Sequence, residues 1–176
     1  RITDTLFFSK SAALMTFQFG LSDQGRDIRT DIVQRMGPSL ALAIPTLLLG
    51  LMVNISVALL VTLFRATRFD VVAMALCTVL MSISGLFYII FGQFIFGKLL
   101  LLVPVSGYHS GWSSIRFLIL PVVVGVISGV GSGTRWYRTI FLEEVNRDYV
   151  RTARAKGLGM SSVLLKHVLK NAMIPI

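Results

Sequence analysis

The sequence predicts an all-α, polytopic membrane protein with three transmembrane helices and a cytoplasmic helix–turn–helix. Three observations predict it: long charge-free runs, a low charge content and a basic carboxyl end. None of Asp, Glu, Lys or Arg occurs between Arg35 and Arg65, between Asp70 and Lys98, or between Arg116 and Arg135. These gaps hold 29, 27 and 18 residues, and a bilayer-spanning helix needs roughly 17–25 predominantly apolar ones. Charged residues make up 14% of the 176, against about a quarter in a soluble domain. A buried soluble core has no need of three such runs in a chain of this length.

Residues 1–37 form a mixed, extracytoplasmic segment. Within it, Ile28, Ile32, Val33 and Met36 recur at helical spacing, which predicts a short amphipathic helix over 27–36 at the membrane interface. An ordinary solvated connection fits that pattern equally well. Span one is expected over about 38–64, with Pro38 in the first turn, where its missing N–H costs nothing, and Pro45 kinking the helix further in. Arg65, Arg68 and Asp70 make a short polar turn.

Span two is expected over about 71–97. Its Ser82, Ser84 and Gln93, with Asn54 of span one, are neutral polar groups of the kind that hydrogen-bond between membrane helices; contact with a transported solute is the less common alternative. Residues 98–116 contain Pro104, Gly107, Tyr108, Gly111 and Trp112, turn formers and aromatics that predict an interfacial loop. His109 in that loop has no second ligand nearby, so no metal site is expected. Cys77 is the only cysteine, which excludes an internal disulfide and makes it a small packing residue inside span two.

Span three, about 117–134, carries Gly125, Gly129 and Gly133 at i, i+4 and i+8. Small residues in one stripe let a second helix approach closely, because packing replaces the hydrophobic drive inside lipid. With Ser128 and Ser132 alongside, a tight helix contact is expected there, either within the chain or with another subunit.

The net charge is +9, from 17 basic and 8 acidic residues. Eight of the Lys and Arg lie in residues 135–170, against three acids. With three spans, the side holding 65–70 and 135–176 carries ten basic residues and the other side seven, so the carboxyl end is expected in the cytoplasm. The amino-terminal segment then lies outside, which requires a preceding span; a missing first helix is expected. The basic tail directly follows a membrane span and has no accompanying nucleic-acid motif, which argues against nucleic acid as a partner.

The tail has its own pattern. Leu142, Val145, Tyr149 and Ala153 share helical spacing and predict a helix over 139–156, with Glu143 four residues before Arg147 as a favourable pair. Gly157 and Gly159 end it, and Ser161 or Ser162 caps a second helix through Val163, Leu164, Val168 and Ala172. Pro175 closes that helix ahead of a further span. A positive-inside anchor explains the charge but not the glycine break between two amphipathic helices, which makes a knob suited to a groove on a partner.

The stretch "DYVRTARAKGLGMSSVLLKHVLKNAMIPI", residues 148–176, resembles the cytoplasmic loop of permease subunits in bacterial ABC importers for dipeptides and oligopeptides. The segments "VQRMGPSLALAIPTLLLGL" and "LLLVPVSGY" resemble the second span and an external loop of the same permeases. Of the wider superfamily's loop pattern, only Ala153, Gly157 and Leu169 are kept, which points to the peptide-importer branch.

The resemblance implies a six-span permease of the bacterial inner membrane, of which this chain holds three spans. It implies that Ala153, Arg154, Ala155, Lys156, Gly157, Leu158, Gly159 and Ser161 form the coupling loop that docks on a separate ATPase subunit. Gly157 would supply the turn, Ala153 and Ala155 a low surface, and Arg151, Arg154 and Lys156 charge either for acids on the ATPase or for holding the loop against anionic lipid. No Gly-rich phosphate loop occurs in the chain, so no cofactor is expected on it and ATP belongs to the partner. A second permease subunit, an external solute-binding protein and the bilayer complete the expected partners. A non-transporting membrane scaffold that recruits a partner through its basic tail is the alternative. An intramembrane enzyme is disfavoured, because the spans hold no Asp, Glu, His, Lys or Arg.

Overall fold

The computed structural model describes residues 19–22, 25–102 and 114–176. The expected loop residues 103–113, His109 and Trp112 among them, and the first 18 residues lie outside the described residues. The chain divides into two compact units, Arg1–Ala43 and Ile44–Ile176.

In the first unit a tight turn feeds a helix. Gly20 and Gly25 take left-handed backbone, at φ +73° and +74°, so that Leu21 can bridge to Asp27. The Ser22 N–H donates to Arg26 O at 2.8 Å across the turn. Asp27 then accepts the Arg29 N–H on Oδ1 at 3.0 Å, which satisfies one of the amide donors that a helix start leaves orphaned. Helix α1 runs from there, Ile28–Leu63. The expected interfacial helix and span one are therefore one element. Pro38 sits inside it rather than in its first turn, and the helix continues past Pro45.

The second unit holds the rest. Residues 44–63 of α1, at about 1.5 Å each, supply roughly 30 Å, the thickness of a bilayer's hydrocarbon core. A four-residue turn leads to α2, Arg68–Ser82, then α3, Gly85–Gly92, which continues as a π-helical segment π1, Gln93–Leu99. The axis turns by 88° between α2 and α3. Helix α4, Ser114–Val145, has Pro121 inside it. Helices α1 and α4 are each long and apolar enough to cross a membrane, and the bent pair counts as a third crossing if taken as one span.

Close contacts along α4 fix the sense of the bent pair. Asp70 meets Arg138, Cys77 backs Gly131, and Gly92 backs Val124. The chain thus climbs antiparallel to α4 without turning back, as a single bent crossing does. The elbow at Ile83 and Ser84 was not expected. Both residues adopt extended backbone, and the surrounding charge-free run conceals this Ser-x-Ser-Gly turn signal. Ser82, expected to bond between helices, donates instead to Thr78 O of its own helix at 2.9 Å. A cavity of about 270 Å³ lies under the elbow, lined by Gly85, Ile89, Gln93, Pro121 and Ser128 among others.

Helix α4 runs past Thr134, the expected end of span three, to Val145. The extra turns carry Phe141 and Val145 inward, fully and almost fully buried, and burial of this apolar face holds the extension helical. The chain then breaks at Asn146 and Arg147, where 139–156 was expected to be one helix. Helix α5 is Asp148–Ala155. Helix α6, Met160–Val163, passes without interruption into π2, Leu164–Val168, and α7, Leu169–Ala172.

Candidate functional site

The candidate site is the helix–turn–helix α5–α6. It sits on a core shared by the ends of α1 and α4. Ala58 of α1 and Phe141 and Val145 of α4 pack with Val150 and Ala153 of α5 and with Val163, Leu164, Val168 and Ala172 beyond the turn. The four residues from which the second helix was expected, Val163, Leu164, Val168 and Ala172, are all buried. Each large side chain removed from water in this way contributes roughly 1.5–3 kcal/mol, so the loop is anchored rather than free.

The turn has a defined hydrogen-bond pattern. Leu158 N–H donates to Ala153 O at 3.3 Å and Gly157 N–H to Arg154 O at 2.9 Å. These are the two bonds of a Schellman stop, which requires a left-handed residue at the first position past the helix. Gly157 is that residue, at φ +84°. Gly159 has a different task. It takes extended backbone at φ −64° and ψ 149°, and is itself the N-cap of α6, its carbonyl accepting Val163 N–H at 3.1 Å. Ser161 and Ser162 lie inside α6 instead of capping it.

The expected coupling residues divide by exposure. Ala153 faces the core at 8% exposure, so it anchors the loop. Arg154, Ala155, Lys156, Gly157, Leu158, Gly159 and Ser161 are exposed and share the outer surface of the turn. Arg154 and Lys156 form no ion pair among the described residues. Arg151 has one with Asp148 at 3.7 Å, with both side chains largely exposed, a geometry that contributes little.

The break before α5 is held by Glu144, which also takes the place expected of Glu143 as the partner of Arg147. Glu144 accepts the Tyr149 hydroxyl at 2.8 Å and pairs with Arg147 at 3.7 Å. Burial pushes the Tyr149 phenol above its ordinary value; an Asn171 hydrogen bond lowers it, and the neighbouring Glu144 raises it further. Beside the turn, a cavity of about 270 Å³ is lined by Ser56, Leu59 and Leu63 of α1 with Ser161, Leu164 and Leu165. No three of His, Cys, Asp and Glu stand together as a metal ligand set among the described residues.

The glycine stripe of α4 meets α1 within the chain. A Cβ on Gly125 would lie 2.9 Å from Thr46 Cγ2, and one on Gly133 2.5 Å from Asn54 Cγ. A Cβ on Gly129 between them would meet nothing within 4 Å beyond its own helical backbone among the described residues. A second small residue, Gly131, lies on the face toward α2, where the Cys77 carbonyl stands 2.6 Å from the Cβ position. Its place off the i, i+4 stripe is why the sequence pattern missed it.

Residues 55–176 match the model of the family described as binding-protein-dependent transport system inner membrane component. The chain is 29% identical over 174 residues to the oligopeptide transport system permease protein OppB of Escherichia coli (strain K12), covering 98% of this chain and 56% of that protein. The OppB proteins of Shigella flexneri and of Salmonella typhimurium (strain LT2) are also 29% identical, over 174 and 182 residues, with the same coverage. The chain thus spans about half the length of the curated relatives it matches. With its apolar crossings and, inside the matched region, its anchored helix–turn–helix, the chain belongs to the binding-protein-dependent transport system inner membrane components, multi-pass proteins of the bacterial inner membrane.

Proposed function

We propose that this chain is part of the permease subunit of an ABC importer for peptides or similar small solutes. In this reading ATP is hydrolysed on a separate subunit, and the α5–α6 turn docks into a groove on it. Movement of the docked turn passes through the shared core to α1 and α4 and opens the solute path to each side in turn. A second permease subunit pairs with this one, and an external solute-binding protein delivers the cargo.

One observation carries the reading: a rigid, basic turn with a small-residue surface, anchored on the ends of two membrane crossings. A helix end fixed in this way transmits force, whereas a topology anchor needs only its charge. The relatives' names, oligopeptide transport system permease proteins, supply the cargo class.

The test is disulfide cross-linking in the full-length permease co-expressed with its ATPase. Ala155→Cys, Leu158→Cys and Ser161→Cys should each cross-link to cysteines in the ATPase groove, and the buried Val163→Cys should not. Cross-linking at none of the three exposed positions overturns the docking. Cross-linking with no ATP-driven uptake by the wild-type complex favours the non-transporting scaffold.

A further inference from the structure

The turn between α1 and α2 contains a strained residue tied to the far end of α4. Ala66 holds a left-handed backbone at φ +62°, a conformation that side-chain-bearing residues seldom adopt. Its N–H donates to Asp70 Oδ2 at 3.2 Å. The same oxygen accepts Arg138 Nη2 of α4 at 2.8 Å. One carboxylate oxygen thus joins the α1–α2 turn to α4.

Arg138 stands one helical turn before Phe141, which is fully buried in the core beneath α5. Two further contacts hold α2 to α4 above this node. Arg135 Nη1 donates to Thr78 Oγ1 at 3.4 Å, and Gly131 lets the Cys77 carbonyl approach. An unbroken run of contacts thus links the α5–α6 turn to α4 through Phe141, and to α2 through the contacts along α4. It ends at the α1–α2 turn through Asp70 Oδ2.

The pair is also incompletely bonded. Among the described residues, Asp70 Oδ1 and Arg138 Nε are buried without hydrogen-bond partners, although a guanidinium and a carboxylate ordinarily form two parallel bonds. A pair kept only for static stability gains from closing both arms, because an unpaired buried polar atom is costly. With one arm open, the pair is not locked in its fully bonded arrangement. Coupling between sites is carried by networks that have two discrete arrangements, and a pair left half-bonded has a second one available to it in principle.

We propose that Asp70 and Arg138 are positioning residues of the transport cycle. Their bond carries movement of the cytoplasmic coupling turn to the α1–α2 turn and, through Ala66, to α1. This rests on the transport reading above. Without the bond, the coupling turn still engages the ATPase, but its movement no longer reaches α1. ATP hydrolysis then continues without matching transport.

The experiment uses the full-length permease with its partner permease, ATPase and binding protein in proteoliposomes. Uptake of radiolabelled alanine peptides and ATP hydrolysis are measured on the same preparation. Asp70→Asn and Arg138→Gln should retain ATP hydrolysis and lose about tenfold in uptake per ATP, inside the usual range for coupled sites. The exchange Asp70→Arg with Arg138→Asp should recover most of the ratio. Ala66→Gly keeps both charges and relieves the backbone strain, so it covers the case in which the charge variants fail to assemble. It should lower uptake per ATP about fivefold while leaving the melting temperature equal or higher, an effect a merely structural turn would not give. Unchanged uptake per ATP in Asp70→Asn or in Ala66→Gly overturns the proposal, as does an exchange variant that recovers nothing. A wild-type complex that hydrolyses ATP and transports none of the peptides overturns the transport reading itself.

Discussion

The carbonyl oxygen of Cys77 lies 2.6 Å from where a Cβ on Gly131 would stand, and Met81 N lies 3.1 Å from it. Both atoms are backbone and cannot swing aside. Gly131→Ala must therefore push α2 off α4, at a cost of about 1–3 kcal/mol. Gly129→Ala meets nothing within 4 Å beyond its own helical backbone among the described residues and should stay within about 0.5 kcal/mol. Gly133→Ala falls between, since the Asn54 carboxamide at 2.5 Å is a side-chain end that can turn. Thermal melts of the three variants of the full-length protein in detergent measure the order. Equal shifts for Gly131→Ala and Gly129→Ala would contradict the close approach of α2.

How far this packing was legible in the sequence depends on the residue. The stripe of Gly125, Gly129 and Gly133 predicted a tight contact, and Gly125 and Gly133 make one with α1. Gly131 was hidden because it lies on another face, and only its spacing to Thr134 and Arg138, three and seven residues on, hints at that face. The buried set beyond the turn was legible because helical periodicity records burial. The break at Asn146 and Arg147 was not, because the apolar spacing from Val145 to Tyr149 and Ala153 continues through it. Gly157 and Gly159 looked alike in the sequence, and only backbone geometry separates a left-handed stop from an extended cap.

That separation makes the two glycines behave differently on substitution. Among the described residues space is open around Gly157, so only its φ of +84° resists a side chain. Gly157→Val should cost about 1–2 kcal/mol and release the Leu158–Ala153 and Gly157–Arg154 bonds, with uptake falling about tenfold and membrane insertion unchanged. Gly157→Asn should keep most of the uptake, because asparagine tolerates this conformation. Gly159→Ser should equal the wild type or stabilise α6 by a few tenths of a kcal/mol, serine being a good N-cap. Uptake assays and insertion measured on the same cells check all three, and a defect in Gly159→Ser larger than in Gly157→Val would refute the assignment.

Tyr149 should make the module sensitive to alkali. Its folded pKa is raised, with burial as the main cause, so the folded module holds the phenolic proton more tightly than the unfolded chain does. The resulting stability is complete below the unfolded value of about 10 and is lost as pH rises through the folded one. Tyr149→Phe should remove that alkaline slope. At neutral pH it should cost about 1 kcal/mol, through loss of the bond to Glu144. Melting temperatures followed from neutral to alkaline pH test this; an alkaline slope as steep in Tyr149→Phe as in the wild type would assign it to another group.

In the proposed docking, anchoring and contact with the ATPase should fall to different apolar side chains of one module. Phe141 is fully buried where α4, α5 and the helix beyond the turn meet, and Phe141→Ala leaves a cavity among neighbours fixed by three helices. It should cost about 3–5 kcal/mol, and transport should fall because the turn no longer moves with α4. Leu158 is 41% exposed at the tip of the turn and contributes little to folding. Leu158→Ala should change stability by less than about 0.5 kcal/mol and weaken ATPase binding by about 1–2 kcal/mol, as for an ordinary interface anchor. Melting curves and ATPase co-purification, measured on both variants, separate the two roles. If Leu158→Ala lowers stability as much as Phe141→Ala, the tip belongs to the core and the docking surface lies elsewhere on the turn.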